Sequence, residues 1–264
     1  MKPGLQLTAR VESWPLAEEF RISRGVKTTA DVVVVELSEG RNCGAGECLP
    51  YARYGEAPAA VEALLNSLSE QRLTEVISGQ ASSGMKAADN ALDCALWDLR
   101  AQQLKQPVWK LLGVARPRPV ATAYTLPIAE PAQMAARAAE NASRPVLKIK
   151  LGGADADADG ERLQAIREAA PRSRLIVDAN EGWSVPQLER FLPLAESLNV
   201  LMIEQPLPAD DDDALTGLAS AVPIGADESV HGIEDLELLR RKYQVINIKL
   251  DKAGGLTAAK ALAD

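Results

Sequence analysis

Leu147-Lys-Ile-Lys150, Ile176-Val-Asp-Ala-Asn180, Met202-Ile-Glu-Gln-Pro206, Ile224-Gly-Ala-Asp-Glu228 and Asn247-Ile-Lys-Leu-Asp251 recur along the chain about one βα repeat apart. Each is the tail of a short apolar run that ends on charged residues. Such runs predict buried strands at Val120–Leu126, Val146–Leu151, Arg174–Asp178, Val200–Glu204, Val222–Ala226 and Gln244–Leu250. Between them lie helical patterns near 131–142, 158–170, 184–198, 210–220 and 232–242, and another helix starts at Leu256. Six alternating βα units predict a parallel sheet, either closed as a barrel or doubly wound.

The N-terminal part follows a different rule. Leu5–Val11 and Asp31–Leu37 are β-rich, with Gly40 and Gly44 supplying turns. From Ala57 to about Leu112 the period becomes helical, with Val61, Leu64, Leu65 and Leu68 in one stripe and Ala88, Ala91, Leu92, Ala95, Leu96 and Leu99 in another. Strands followed by helices predict an α+β domain over residues 1–116. Arg116-Pro-Arg-Pro119 marks the boundary with a second domain over 117–264.

Of the 264 residues, 47% are hydrophobic and 25% charged, which excludes a disordered, collagen-like or disulfide-built chain. A net charge of −8 argues against nucleic acid or an anionic membrane as partner. No apolar run approaches the roughly 20 residues of a membrane span, and the first residues lack the apolar core of a signal peptide. Cys43, Cys48 and Cys94 show no CxxC spacing and fit reduced thiols in the cytoplasm. His231 is the sole histidine, so proton chemistry falls to carboxylates and lysines.

In a parallel barrel the C-terminal strand ends share one mouth. Asp178, Glu204 and Asp227 end three successive strands, 26 and 23 residues apart, so their carboxylates converge. Three buried acids repel one another, and a hard divalent cation relieves that repulsion; oxygen-only donors select Mg²⁺, with Mn²⁺ as the alternative. Lys148 and Lys150 lie two apart on one strand and share a face. Their mutual repulsion is expected to lower their pKa values and make a base. Lys249 enters from the far side of the trio, giving a lysine on each side of whatever the metal binds. Asp251, on the same face as Lys249, is a candidate partner for it, and Lys252 is expected in solvent. The run Pro208-Ala-Asp-Asp-Asp-Asp213 is expected to cap a helix.

The ordered set K-x-K (148–150), D-A-N (178–180), E-Q-P (204–206), A-D-E-S (226–229) and I-K-L-D-K-A-G-G (248–255) strongly resembles the enolase superfamily, in its muconate-lactonizing subgroup. The resemblance covers the whole chain. It implies an N-terminal capping domain followed by a modified (β/α)₇β barrel of the TIM type. It also implies Mg²⁺ on Asp178, Glu204 and Asp227, Lys150 and Lys249 as acid/base lysines, and Lys148 stabilising an enolate. A base on each face allows 1,1-proton transfer at the carbon next to a carboxylate.

Phe20-Arg-Ile-Ser-Arg24-Gly25 and Tyr51-Ala-Arg-Tyr54-Gly-Glu56, expected in lid loops, resemble the dipeptide epimerases. By that likeness the substrate is a small dipeptide such as L-Ala-L-Glu or L-Ala-D-Glu. Arg24 would bind its side-chain carboxylate, Thr125 would line the pocket, and Tyr54 would close it. Cycloisomerases and o-succinylbenzoate synthases share the same machinery and remain the rival reading, with a non-catalytic barrel fragment as the third. Strands seven and eight of the family barrel, and the Asp-x-Asp motif that meets a dipeptide's ammonium, have no counterpart before Asp264, so the barrel is expected to be truncated after its sixth strand. Homo-oligomers fit the resemblance without a fixed number. Gly152-Gly153 and Gly254-Gly255 read as turns after strands, and Gly44-Ala-Gly46 as a lone GxG in a hairpin.

Overall fold

A computed structural model describes residues 4–152 and 156–264, so Gly153 of the Gly152-Gly153 pair lies outside the described residues. Two compact units form. The first takes the chain up to Pro15 together with Thr29–Arg118 and Ile248–Asp264; the second takes Leu16–Thr28 and Pro119–Asn247.

Strands β1 (Gln6–Ile22), β2 (Gly25–Glu39) and β3 (Asn42–Cys48) make a three-stranded sheet in that order. β2 and β3 pair antiparallel from Glu39↔Asn42 to Val33↔Cys48. Alternation places Val33, Val35 and Leu37 in the core of the first unit. Helices α1 (Pro58–Asn66), α2 (Glu70–Ile77), α3 (Lys86–Leu104) and α4 (Val108–Leu111) follow. α3 turns Ala88, Ala91, Leu92, Ala95 and Leu99 into the same core. Small residues on α3 meet glycines on β3: a Cβ on Gly44 would stand 2.1 Å from the Ala95 carbonyl, and one on Gly46 would stand 2.0 Å from that of Ala91. Gly44 therefore serves helix–strand contact rather than a turn, and Gly46 makes the same contact from within the β2–β3 hairpin. Gly46→Val is expected to destabilise the protein at or above the upper end of the overpacking range of about 1–3 kcal/mol, read by urea unfolding; a loss below 1 kcal/mol would show that the helix can retreat.

In the second unit, β4 (Ala123–Leu126), α5 (Pro131–Glu140), β5 (Val146–Lys150), α6 (Ala156–Ala169), β6 (Arg174–Asp178), α7 (Val185–Ser197), β7 (Val200–Glu204), β8 (Ile224–Ala226), α8 (Leu236–Leu239) and β9 (Val245–Ile246) alternate. All neighbouring pairs are parallel and the spatial order is β4-β5-β6-β7-β8-β9. A doubly wound sheet reverses direction at a switch point. This order never reverses, so the arrangement is of the barrel type. Leu147, Ile149, Leu175, Val177 and Ile203 are fully buried strand residues, as helix-covered parallel strands require.

Three expectations need correction. The helix expected over 210–220 is only a 3-10 turn, Asp213–Leu215. Gly217 adopts φ +75°, which a helix does not tolerate, and Asp212 turns inward instead of capping. The helix expected over 232–242 shrinks to a 3-10 turn, Ile233–Asp235, and the single turn α8, because Lys242 and Tyr243 are drawn into the interior towards Asp212. The sixth strand ends at Ile246, not Leu250. After it the Asn247 side chain bends to Glu204, and Leu250 opens α9 (Leu250–Ala253), followed by α10 (Leu256–Ala263). Gly254 and Gly255, at φ +92° and +117°, turn the chain between these two helices. Among the described residues no helix is long and apolar enough to cross a membrane.

Candidate functional site

Parallel register brings the strand-end charges together. Lys150 pairs with Asp178, Asp178 with Glu204, and Glu204 with Gly225, two residues before Asp227. Each of Asp178, Glu204 and Asp227 offers a carboxylate oxygen within 4.8 Å of the other two, and all three residues are buried. The Lys148 Nζ lies 2.8 Å from both Asp178 Oδ2 and Glu204 Oε1. The Lys150 Nζ donates to Asp178 Oδ2 and Asn180 Oδ1, each at 2.7 Å. Asn247 Nδ2 donates to Glu204 Oε1 at 2.8 Å. Thr125 sits beside Lys148 in register on β4.

Lys148 therefore bridges two of the three carboxylates, and Lys150 holds one of them from the other side. Burial pushes the Glu204 carboxyl up, and Asp178 and Asp227 push it further than Lys148 pulls it back. Burial also works against the Asp178 anion, but two lysines outweigh it and hold this carboxyl below its ordinary value. For Lys148, burial lowers the pKa, yet Asp178 and Glu204 together raise it above that of a free lysine. Lys148 is therefore not softened as repulsion from Lys150 alone predicts, since its nearest charges are anions. A compact, buried, all-oxygen donor set fits a hard divalent cation.

A second cluster adjoins the first. Ser23-Arg24 is the two-residue tip of the β1–β2 hairpin, so Phe20–Gly25 is mostly strand rather than loop. Arg24 donates to Glu228 Oε1 (2.6 Å), Glu181 Oε2 (2.7 Å) and the Asn180 carbonyl (2.9 Å). Glu228 Oε1 also accepts from Asn180 Nδ2 at 3.1 Å, whereas Glu228 Oε2 is buried without a hydrogen-bond partner. Asn180 thus links Lys150, Asp178 and Glu228. Asn180, Glu181 and Gln205, just past two of the strand-end acids, have φ of +45°, +66° and +36°. Left-handed backbone at non-glycine residues is costly and gathers at functional sites.

The remaining candidates lie in the first unit. Lys249 is exposed and stands immediately before α9. Tyr54 closes a 3-10 turn, Ala52–Tyr54, with its ring 5.8 Å from that of Tyr51. Asp251 accepts from Asn90 Nδ2 and the Leu49 N–H, so it ties α3 and the residue after β3 to α9. Lys252, expected in solvent, is buried.

Residues 5–113 match the N-terminal domain of mandelate racemase / muconate lactonizing enzyme, and residues 130–264 match the enolase C-terminal domain-like family. The chain belongs to the mandelate racemase / muconate lactonizing enzyme family. An L-Ala-D/L-Glu epimerase of Escherichia coli K12 is 47% identical over 258 residues, which cover 96% of this chain and 79% of that enzyme. An N-acetyl-D-glutamate racemase from a Pseudoalteromonas species is 42% identical over 88% of this chain and 74% of its own. The crystal structure of a dipeptide epimerase from Cytophaga hutchinsonii, complexed with Mg and D-Ala-L-Val, has a TM-score of 0.91 at 31% identity, covering 100% of this chain and 76% of that one. Within this family member, Asn180, Asn247, Glu181 and Glu228 join the site without having been singled out from the sequence. Asn180, Glu228 and Asn247 lie within the strand-end motifs, but partners such as Asn180 and Glu228, 48 residues apart, leave no local signal.

Proposed function

We propose that the protein is a Mg²⁺-dependent dipeptide epimerase that inverts the α-carbon of an N-acylated glutamate, with L-Ala-Glu as its substrate. The convergence of three buried carboxylates with Lys148 and Lys150 carries this reading. The names of the first two relatives agree on chemistry, since L-Ala-Glu and N-acetylglutamate are both N-acyl glutamates.

Asp178, Glu204 and Asp227 hold the cation. Bound there, Mg²⁺ supplies positive charge where negative charge develops on the substrate carboxylate. The Lys150 amine takes the α-proton, and the C–H electron pair passes into the adjacent carboxylate to form an enediolate. Lys148, kept protonated by its two carboxylate neighbours, donates hydrogen bonds to that charge. The Lys249 ammonium returns a proton to the opposite face, which inverts the carbon; the reverse reaction exchanges the two roles. The role of Lys249 rests on its place in the I-K-L-D-K motif. Arg24 receives the glutamate side chain, Thr125 lines the pocket and Tyr54 helps close it. An incoming carboxylate competes with Glu181 and Glu228 for the Arg24 guanidinium. The three unpaired cysteines suit a cytoplasmic setting.

Incubation in D₂O with Mg²⁺, followed by mass spectrometry, tests the assignment. L-Ala-L-Glu should gain one deuteron. Exchange on N-acetyl-L-glutamate alone would favour the racemase reading, and exchange on neither would reject both. Arg24→Ala is expected to lower kcat/KM for L-Ala-L-Glu roughly 10–100-fold, the value of a charged hydrogen bond. L-Ala-L-Leu should change far less, and an unchanged ratio between the two would remove Arg24 from recognition.

A further inference from the structure

Gln205 directly follows Glu204, is fully buried, and holds φ +36°, a conformation that costs a non-glycine residue of order 1–3 kcal/mol. Its hydrogen bonds reach all three acid-bearing strand ends. Its N–H donates to the Gly225 carbonyl (2.8 Å), and its carbonyl accepts from the Glu181 N–H (2.9 Å). The side-chain Oε1 accepts from the N–H groups of Asp227 (2.9 Å) and Ser229 (3.1 Å). Nε2 reaches the Leu207 carbonyl (3.0 Å), Ser229 Oγ (2.8 Å) and the Tyr243 hydroxyl (3.0 Å).

The orientation of this amide is set from behind. Asp212 Oδ2 accepts from Ser229 Oγ (2.7 Å) and from Tyr243 OH (2.6 Å). With both hydroxyl protons directed at Asp212, the two oxygens face Gln205 as acceptors and require its NH₂ end. Oε1 is thereby left for the Asp227 N–H. Asp212 in turn pairs with buried Lys242. A buried ion pair is a poor route to stability, so a structural role alone accounts weakly for keeping it behind a strained glutamine.

We infer that Gln205 is a positioning residue that locks Glu204 and Asp227 into one cation-binding set, and that Asp212 fixes its amide. This rests on the metal site of the proposed function. Mn²⁺ binding to the full chain, followed by electron paramagnetic resonance without substrate, tests both. The wild-type protein should bind one Mn²⁺ and Asp227→Asn should lose it. No binding by the wild type would overturn the metal reading itself. Gln205→Leu is expected to weaken Mn²⁺ about 10–100-fold, as loss of a group that orients a ligand does, and Asp212→Asn to weaken it in the same direction by less. Leu188→Ala, a buried α7 truncation, should lower the unfolding temperature without changing Mn²⁺ affinity. Wild-type affinity in folded Gln205→Leu would overturn the inference while leaving the metal site standing. Should that variant not fold, Ser229→Ala and Tyr243→Phe each remove one amide partner. Weakened Mn²⁺ binding in either supports the inference, and unchanged affinity in both overturns it.

Discussion

Lys150→Ala is expected to abolish α-proton exchange from one stereoisomer of Ala-Glu while the other still exchanges. Lys150 is buried, and its Nζ is fixed between Asp178 Oδ2 and Asn180 Oδ1 at 2.7 Å. Lys148 is not a substitute, because Asp178 and Glu204 hold it protonated. General acid–base catalysis contributes typically about 10²–10⁴-fold. Loss of the base should therefore cost at least about 10³-fold in exchange of the stereoisomer it serves. Net epimerisation fails from both sides, because one lysine takes the proton and the other returns it. Measuring deuterium uptake separately from L-Ala-L-Glu and L-Ala-D-Glu distinguishes the faces. Equal residual exchange from both would mean that one group serves both faces, contrary to the two-lysine mechanism.

The carboxylate trio was legible because parallel strands repeat: equal βα spacing puts successive strand ends at one level, and residue type supplies the rest. Asp178, Glu204, Asp227, Lys148 and Lys150 all follow from that rule. The same rule marks β6 and β7 to the residue. It fails where side chains reach across the fold. Asp212 looked like a helix cap, since four acids in a row usually face solvent, yet Lys242 and Tyr243, some 30 residues away, draw it inside and dissolve the helix. Gln205 lies in the E-Q-P motif, but its role is not legible there, because a glutamine's partners are set by backbone groups beyond another strand. The close packing at Gly46 gives no local signal for a related reason: Ala91, which it meets, lies 45 residues later in the chain.

Asp178→Asn and Glu204→Gln should both lose Mg²⁺-dependent activity, yet differ sharply in stability when measured by urea unfolding in the presence of a chelator. Asp178 has a carboxyl held below its ordinary value, so its charged form stabilises the fold. That contribution is present above the unfolded value near 3.9 and is lost as pH falls through the depressed folded value. Replacing it leaves Lys150 and Lys148 without their shared anion, and breaking a buried pair costs about 3–5 kcal/mol. Glu204 has the opposite sign. Its carboxyl is raised, so folding favours the neutral form; the stability this gives is present below the unfolded value near 4.3 and disappears as pH rises through the folded one. A glutamine therefore removes the charge that Asp178 and Asp227 oppose and retains an oxygen for Asn247 Nδ2 and Lys148 Nζ. Glu204→Gln should lie within about 1 kcal/mol of the wild type, the net worth of an ordinary hydrogen bond, or above it. Equal losses for the two variants would contradict this assignment of charges. The expected divergence means that the charge of Asp178 works for the fold while that of Glu204 works against it, as in a residue kept for its ligand rather than for stability.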